Sequence, residues 1–173
     1  SKSLFTASYE SKEIQQVEDE VKSKGLLFLN ECGLDPGLDH MSAMRVINQI
    51  KKEGHQLEAF ESFTGGLVAP ESDDNPWHYK FSWNPRNVVL AGQGGPAKFI
   101  QKGKVKYIPY NRLFRRTEVI EIDDYGWFEG YANRDSMSYI DKYGLQEVPT
   151  VFRGTLRRPG FCKAWNVFVQ LGA

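Results

Sequence analysis

Arg153, Thr155 and Arg157 stand two residues apart in "TVFRGTLRRPGF", residues 150–161. Side chains alternate across an extended strand, so these three share one face. Two guanidinium groups flanking a hydroxyl make a poor core face. A guanidinium matches a carboxylate with two parallel N–H···O bonds, so the trio suits a clamp for carboxylates. A solvated edge strand is the alternative reading. Arg134, in "YANRDS", comes after a glycine-rich run and is a salt-bridge partner or a substrate anchor. The chain carries no net charge. Several arginines converging on one place would therefore mean a small anionic ligand.

A second group lies near the start. Ser8 and Tyr9 end a strand-like run, and Asp35 comes after another, "GLLFLN". In open α/β sheets the carboxyl ends of the strands face the ligand crevice. Two hydroxyls and a carboxylate would then meet at one crevice, where a carboxylate can pair with a substrate ammonium. The helix expected after Pro36-Gly37, from about His40, offers free N–H groups and a positive dipole end. Asp39 is the expected N-cap.

Positioning these groups requires a frame. Residues 3–9 read as a strand, and "ESKEIQQVEDEVKSKG" as one amphipathic helix carrying Ile14, Val17 and Val21 and ending at Gly25. "LLFLN" reads as a buried strand, which completes a parallel strand-helix-strand unit. Beyond it the expected order is a helix ending at Gly54, a strand at "QLEAFESFTGGL", a long polar loop over 66–87, strands at "KVKYIPY" and "TEVIEI", a helix from Ser136, the arginine-bearing strand and a final helix. "GWFEGYAN" is glycine- and aromatic-rich without a clear period. The mixture predicts an α/β chain of α+β character, with a mixed, largely antiparallel sheet and helices on one face. The long loop is a functional candidate by its length alone.

Other chemistry is weaker. "GQGGPA", residues 92–97, has the G-x-G-x-x-A spacing of a pyrophosphate turn. The segment after Ala97 is at best a short helix without a ribose-binding acid, so a helix or loop weakened by glycines is the better reading. His40, His55 and His78 lack metal-ligand spacing, and no metal site is expected. Cys32 and Cys162 are far apart; neither a disulfide nor a zinc site is expected, and Cys32 reads as a buried structural thiol. That thiol usage suits a reducing cytoplasm. The balanced charge argues against binding nucleic acid or anionic membrane by bulk charge. No apolar run reaches membrane-spanning length. The abrupt ends read as those of an excised segment.

Five blocks in order, "TASY" (6–9), "NECGLDPGLDHM" (30–41), "GGLVAPESDDNPWHYKFSW" (65–83), "NRDS" (133–136) and "RGTLRRPGF" (153–161), resemble the saccharopine dehydrogenase family of the NADP-dependent, glutamate-forming kind. The resemblance implies an enzyme that interconverts saccharopine with glutamate and 2-aminoadipate 6-semialdehyde, hydride passing between the nicotinamide and an imine carbon. It implies that residues 1–35 are the tail end of a dinucleotide-binding (Rossmann) domain, and 36–173 a substrate-binding and dimerisation domain. It implies substrate contacts at Ser8, Tyr9, Asp35, Arg134, Thr155, Leu156 and Arg157. Cofactor contacts would be Leu34, Asp35, Pro36, Gly37 and Asn84, with NADP held mainly outside this chain. Asp35 is the candidate catalytic group, as a base or as an ammonium partner. A homodimer is implied. Two rival readings are a carboxynorspermidine-type reductive-coupling enzyme and a dimerisation and ligand-binding fragment without activity of its own.

Overall fold

The computed structural model describes residues 2–82, 84–90 and 95–172. They form two compact units, Ser1–Gln56 and Leu57–Ala173.

In the first unit, β1 (Leu4–Phe5) pairs in parallel with β2 (Phe28–Leu29). Two short helices, α1 (Lys12–Gln16) and α2 (Glu18–Ser23), make the crossover. The single helix expected here is therefore broken at Val17. The β-branched side chain favours helix weakly. Glu18, Asp19 and Glu20 also crowd the first turn of α2, where a new N-terminus welcomes negative charge. The expected buried strand is short and largely exposed: Leu27 and Leu29 lie in the open. Its apolar run reflects a two-stranded sheet with no second layer over it in this unit.

The turn into α3 (Leu38–Lys52) differs from expectation as well. Loop carbonyls cap the first turn: Leu38 N–H donates to Gly33 O at 2.9 Å, and Asp39 N–H to Leu34 O at 3.0 Å. The N-cap is Gly37, and Asp39 sits inside the helix. Its buried carboxylate reaches back to accept the Gly37 N–H at 2.7 Å. Asp39 thus satisfies a free N–H without being the cap.

The second unit is built on a six-stranded sheet. β4 (Ala97–Gln101) and β5 (Lys104–Ile108) form one hairpin, β6 (Thr117–Ile122) and β7 (Gly126–Ala132) another. Between them stands β8 (Val151–Arg157), antiparallel to β4 and β7 and parallel to β3 (Phe60–Thr64). The arginine-bearing strand is therefore central, not a solvated edge. The expected mixed, largely antiparallel sheet is present. α4 (Pro85–Leu90), α5 (Tyr110–Leu113), α6 (Ser138–Tyr143) and α7 (Phe161–Gln170) complete the unit. α5 and α7 close the core over Phe99, Ile108, Phe114, Tyr131 and Ala132.

Two strands are unexpected. "AKFIQ" is β4, not a helix or loop. Its turn, Lys102-Gly103, has both φ values positive (51° and 73°), the geometry that matches strand twist in a two-residue hairpin. Gly92 and Gly94, of the G-x-G-x-x-A spacing, lie outside the described residues. "GWFEGYA" is β7, whose alternation is hidden by glycine. The Phe63 ring fills the space: a Cβ at Gly130 would lie 2.9 Å from it, and one at Gly154 on β8 2.3 Å. These glycines admit an aromatic ring between strands.

Candidate functional site

The first unit gathers Ser8, Tyr9 and residues 34–37 at the ends of β1 and β2. Pairing continues past both strands, with Thr6 N–H donating to Leu29 O, Cys32 N–H to Thr6 O and Glu31 N–H to Ser8 O. This brings Tyr9 to the loop, and its hydroxyl donates to Asp35 Oδ1 at 2.8 Å. The loop is tightly closed, with a cis Asp35-Pro36 peptide. Gly33 N–H donates to Pro36 O at 2.9 Å. Gly37 has φ 148°, and a Cβ there would lie 2.1 Å from Gly33 O. Pro36 and Gly37 are buried, while Leu34 is 57% exposed and projects an apolar surface. Below the loop, His40 Nε2 meets Glu31 Oε2 at 2.8 Å. Cys32, expected to be buried, is exposed, since it belongs to the turn and not to the strand.

In the second unit the shared face of β8 is divided. The Arg153 guanidinium is 4% exposed and stacks 3.9 Å over the Tyr139 ring on α6. It is a buried residue packed on that ring, and its charge helps to hold the Asp135 carboxyl below its ordinary range. Thr155 and Arg157 are half-buried, and Leu156 is buried on the other face. Tyr131, opposite Thr155 on β7, shares a hydrogen bond with it. Burial pushes the Tyr131 phenol up to about 12. The Arg157 guanidinium lies 5.2 Å from the Tyr79 ring centre and 5.1 Å from that of Phe161. Its Nη1 donates to Leu156 O at 3.0 Å, and its Nε is buried without a partner.

Along the backbone Arg134 is set apart from Arg157. Asn133 N–H donates to Arg153 O, so Arg134 leaves the ladder near Phe152. That is roughly 16 Å from Arg157 at about 3.3 Å per strand residue. Arg134 is exposed. Asn84 is also exposed, and its Oδ1 accepts the Asn87 N–H at 3.2 Å, capping α4.

An aromatic cavity of about 450 Å³ adjoins the rings that carry Arg157. The long loop supplies Trp77, Tyr79 and Phe81 to it, and α7 supplies Phe161, Trp165 and Phe168. Trp77 stacks on Phe168 with centroids 5.6 Å apart. The loop was legible as a functional candidate. Its partners on α7 were not singled out, although Phe161, Trp165 and Phe168 keep the one-face helical spacing of four and three. At the start of α7 both oxygens of Glu129 accept backbone N–H groups, of Gly160 at 2.9 Å and Cys162 at 2.9 Å. Burial first, then Glu129, pushes the Cys162 thiol well above its ordinary range. Among the described residues no cluster of His, Cys, Asp and Glu is arranged to hold a metal ion, and no helix is long and apolar enough to cross a membrane.

The first unit thus presents hydroxyls and a carboxylate, and the second an aromatic-backed arginine. Comparison with known proteins gives it a family. The chain belongs to the saccharopine dehydrogenase family, whose C-terminal domain model matches residues 33–173. This is an oxidoreductase family of lysine metabolism. The chain is 42% identical over 171 residues to the mitochondrial alpha-aminoadipic semialdehyde synthase of Mus musculus, covering 98% of this chain and 18% of that protein. It is 40% identical over 169 residues to the NADP(+), L-glutamate-forming saccharopine dehydrogenase of Saccharomyces cerevisiae, covering 98% of this chain and 38% of that one. The solved apo, histidine-tagged saccharopine dehydrogenase (L-Glu forming) of Saccharomyces cerevisiae superposes with a TM-score of 0.85 at 39% identity. The match covers 96% of this chain and 37% of the other. The chain thus spans well under half the length of these relatives.

Proposed function

We propose that this chain is the substrate-binding part of an oxidoreductase that interconverts saccharopine with L-glutamate and 2-aminoadipate 6-semialdehyde using NADP(H). One observation carries the reading. Arg157 lies half-buried on aromatic rings beside the Thr155 hydroxyl, with an unpartnered Nε. The rings keep water from one side of the guanidinium, which strengthens its attraction for a carboxylate. Saccharopine carries three carboxylates and a secondary amine. Thr155, the Leu156 backbone and Arg157 would take one carboxylate. Arg134, set apart along the sheet, would take another on so extended a molecule. Ser8 would donate a hydroxyl, and Tyr9 would orient Asp35 toward the substrate amine.

The residues after β2 fit the nicotinamide end of the cofactor. Their first helical N–H groups are already bonded to loop carbonyls, which leaves little for a phosphate, while Leu34 offers apolar surface to a flat ring. Leu34, Asp35, Pro36 and Gly37 would line that end, and Asn84 would add a polar contact. When bound, NADP supplies the hydride donor or acceptor. Asp35 would hold the amine in place and hold or receive its proton.

In this reading residues 1–35 close a dinucleotide-binding domain and 36–173 form the substrate and dimerisation domain. The parent enzyme is a cytoplasmic homodimer that binds neither nucleic acid nor membrane. Balanced charge supports the last point, and exposed Val119, Tyr125 and Trp127 around the β6–β7 hairpin support self-association. The deciding experiment is turnover of saccharopine with NADP by the full-length enzyme, monitored by absorbance of the reduced nicotinamide. Formation of glutamate is the expected result. Absence of turnover, or turnover only with a carboxynorspermidine-type amine and aldehyde, overturns the substrate assignment.

A further inference from the structure

Glu129 on β7 and Arg157 on β8 stand directly opposite one another. Side chains of facing residues in an antiparallel pair leave the same face, and opposite charges there attract. These two form no ion pair. Each Glu129 oxygen is committed to a backbone N–H of α7, at Gly160 and Cys162, both at 2.9 Å. Phe161 lies between those two residues, and its ring is one of the two on which the Arg157 guanidinium rests, at 5.1 Å. The Arg157 Nε has no partner although it is buried.

We infer that Glu129 is a positioning residue that keeps Arg157 open for a substrate carboxylate. It does so in two ways. By binding two α7 amides it withdraws the facing counter-charge from the guanidinium. By fixing the residues on either side of Phe161 it also fixes the ring under that guanidinium. Without these bonds the Glu129 carboxylate would be free to turn to Arg157 and compete with the substrate. The inference rests on the reading of Arg157 as a substrate clamp, and it names a residue that the clamp's own spacing does not reveal.

The test uses the full-length enzyme with saccharopine as the probe. Glu129→Gln keeps the size of the side chain, but only one of its two terminal atoms can accept an N–H. It should raise KM for saccharopine about three- to tenfold, the loss of one charge-assisted hydrogen bond. The kcat and the KM for NADP should stay within about twofold. Arg157→Ala should raise KM further, and adding Glu129→Gln to it should change KM little, since the two act through one contact. Glu129→Asp, which keeps the charge, should restore part of the affinity. A KM unchanged by Glu129→Gln while Arg157→Ala raises it overturns the inference and leaves the clamp standing. Full additivity of the two changes also overturns it. If Arg157→Ala leaves KM unchanged, the clamp itself falls, and the inference with it.

Discussion

The Tyr9 hydroxyl donates to Asp35 Oδ1 at 2.8 Å and so ties the end of the first strand to the Asp-Pro-Gly loop. The bond spans 26 positions of sequence and joins two residues proposed to meet the substrate. It fixes one oxygen of the carboxylate and so sets the orientation of the group. Tyr9→Phe should lower kcat/KM for saccharopine by roughly tenfold, the ordinary cost of one hydrogen bond to a charged group. Stability should change little, because the pair is exposed. Steady-state kinetics beside a thermal melt would check both halves. An unaltered kcat/KM would show that Tyr9 does not orient Asp35.

Gly37 should be irreplaceable. A Cβ would stand 2.1 Å from Gly33 O, on a residue whose φ is 148°. No flexible side chain can yield there, because the clash is with backbone. Gly37→Ala should destabilise the first unit by about 3 kcal/mol or more. Urea unfolding of the variant, with the Tyr9–Asp35 loop probed by limited proteolysis, is the measurement. A variant as stable as its parent would contradict the geometry.

Tyr131 should make the protein sensitive to alkali. Burial favours the neutral phenol and raises its value to about 12, against about 10 in the unfolded chain. The folded state therefore holds this proton more tightly. The stability it contributes is complete below about pH 10 and is lost as the pH rises through 10 toward 12, at most about 3 kcal/mol. Urea midpoints at about pH 9 and about pH 11 should fall further for the parent than for Tyr131→Phe, because only the parent carries this proton. Equal falls would exclude the effect.

Much of the frame was legible. Unbroken patterns found β3, β5, β6, β8, α3 and α7, and the period of two put Arg153, Thr155 and Arg157 on one face. What pattern could not supply was the neighbour of each residue. Arg153 and Arg157 have the same type and face. Tyr139 on α6 buries the first, and Tyr79 and Phe161 leave the second open on one side. β7 was hidden because Gly130 stands where Phe63 needs room, and that need arises only once the strands are assembled. Asp39 read as a cap because the rule looks forward along a helix, while its carboxylate reaches back to Gly37. Val17 broke a helix that periodicity alone would continue.

The central place of β8 bears on the order in which the second unit comes together. β3 ends up beside it, Phe60 against Val151, so β3 must wait for a partner made about ninety residues later. The two hairpins can close early, each on its own turn. The sheet is not complete until β8 is added, pairing with β7 along Glu129–Ala132 and with β4 at Ile100. A nascent chain would therefore carry two preassembled halves and an unmatched strand until β8 had left the ribosome. Early truncations should leave β3 exposed to other chains, and aggregation before synthesis is complete would be the characteristic failure of this unit.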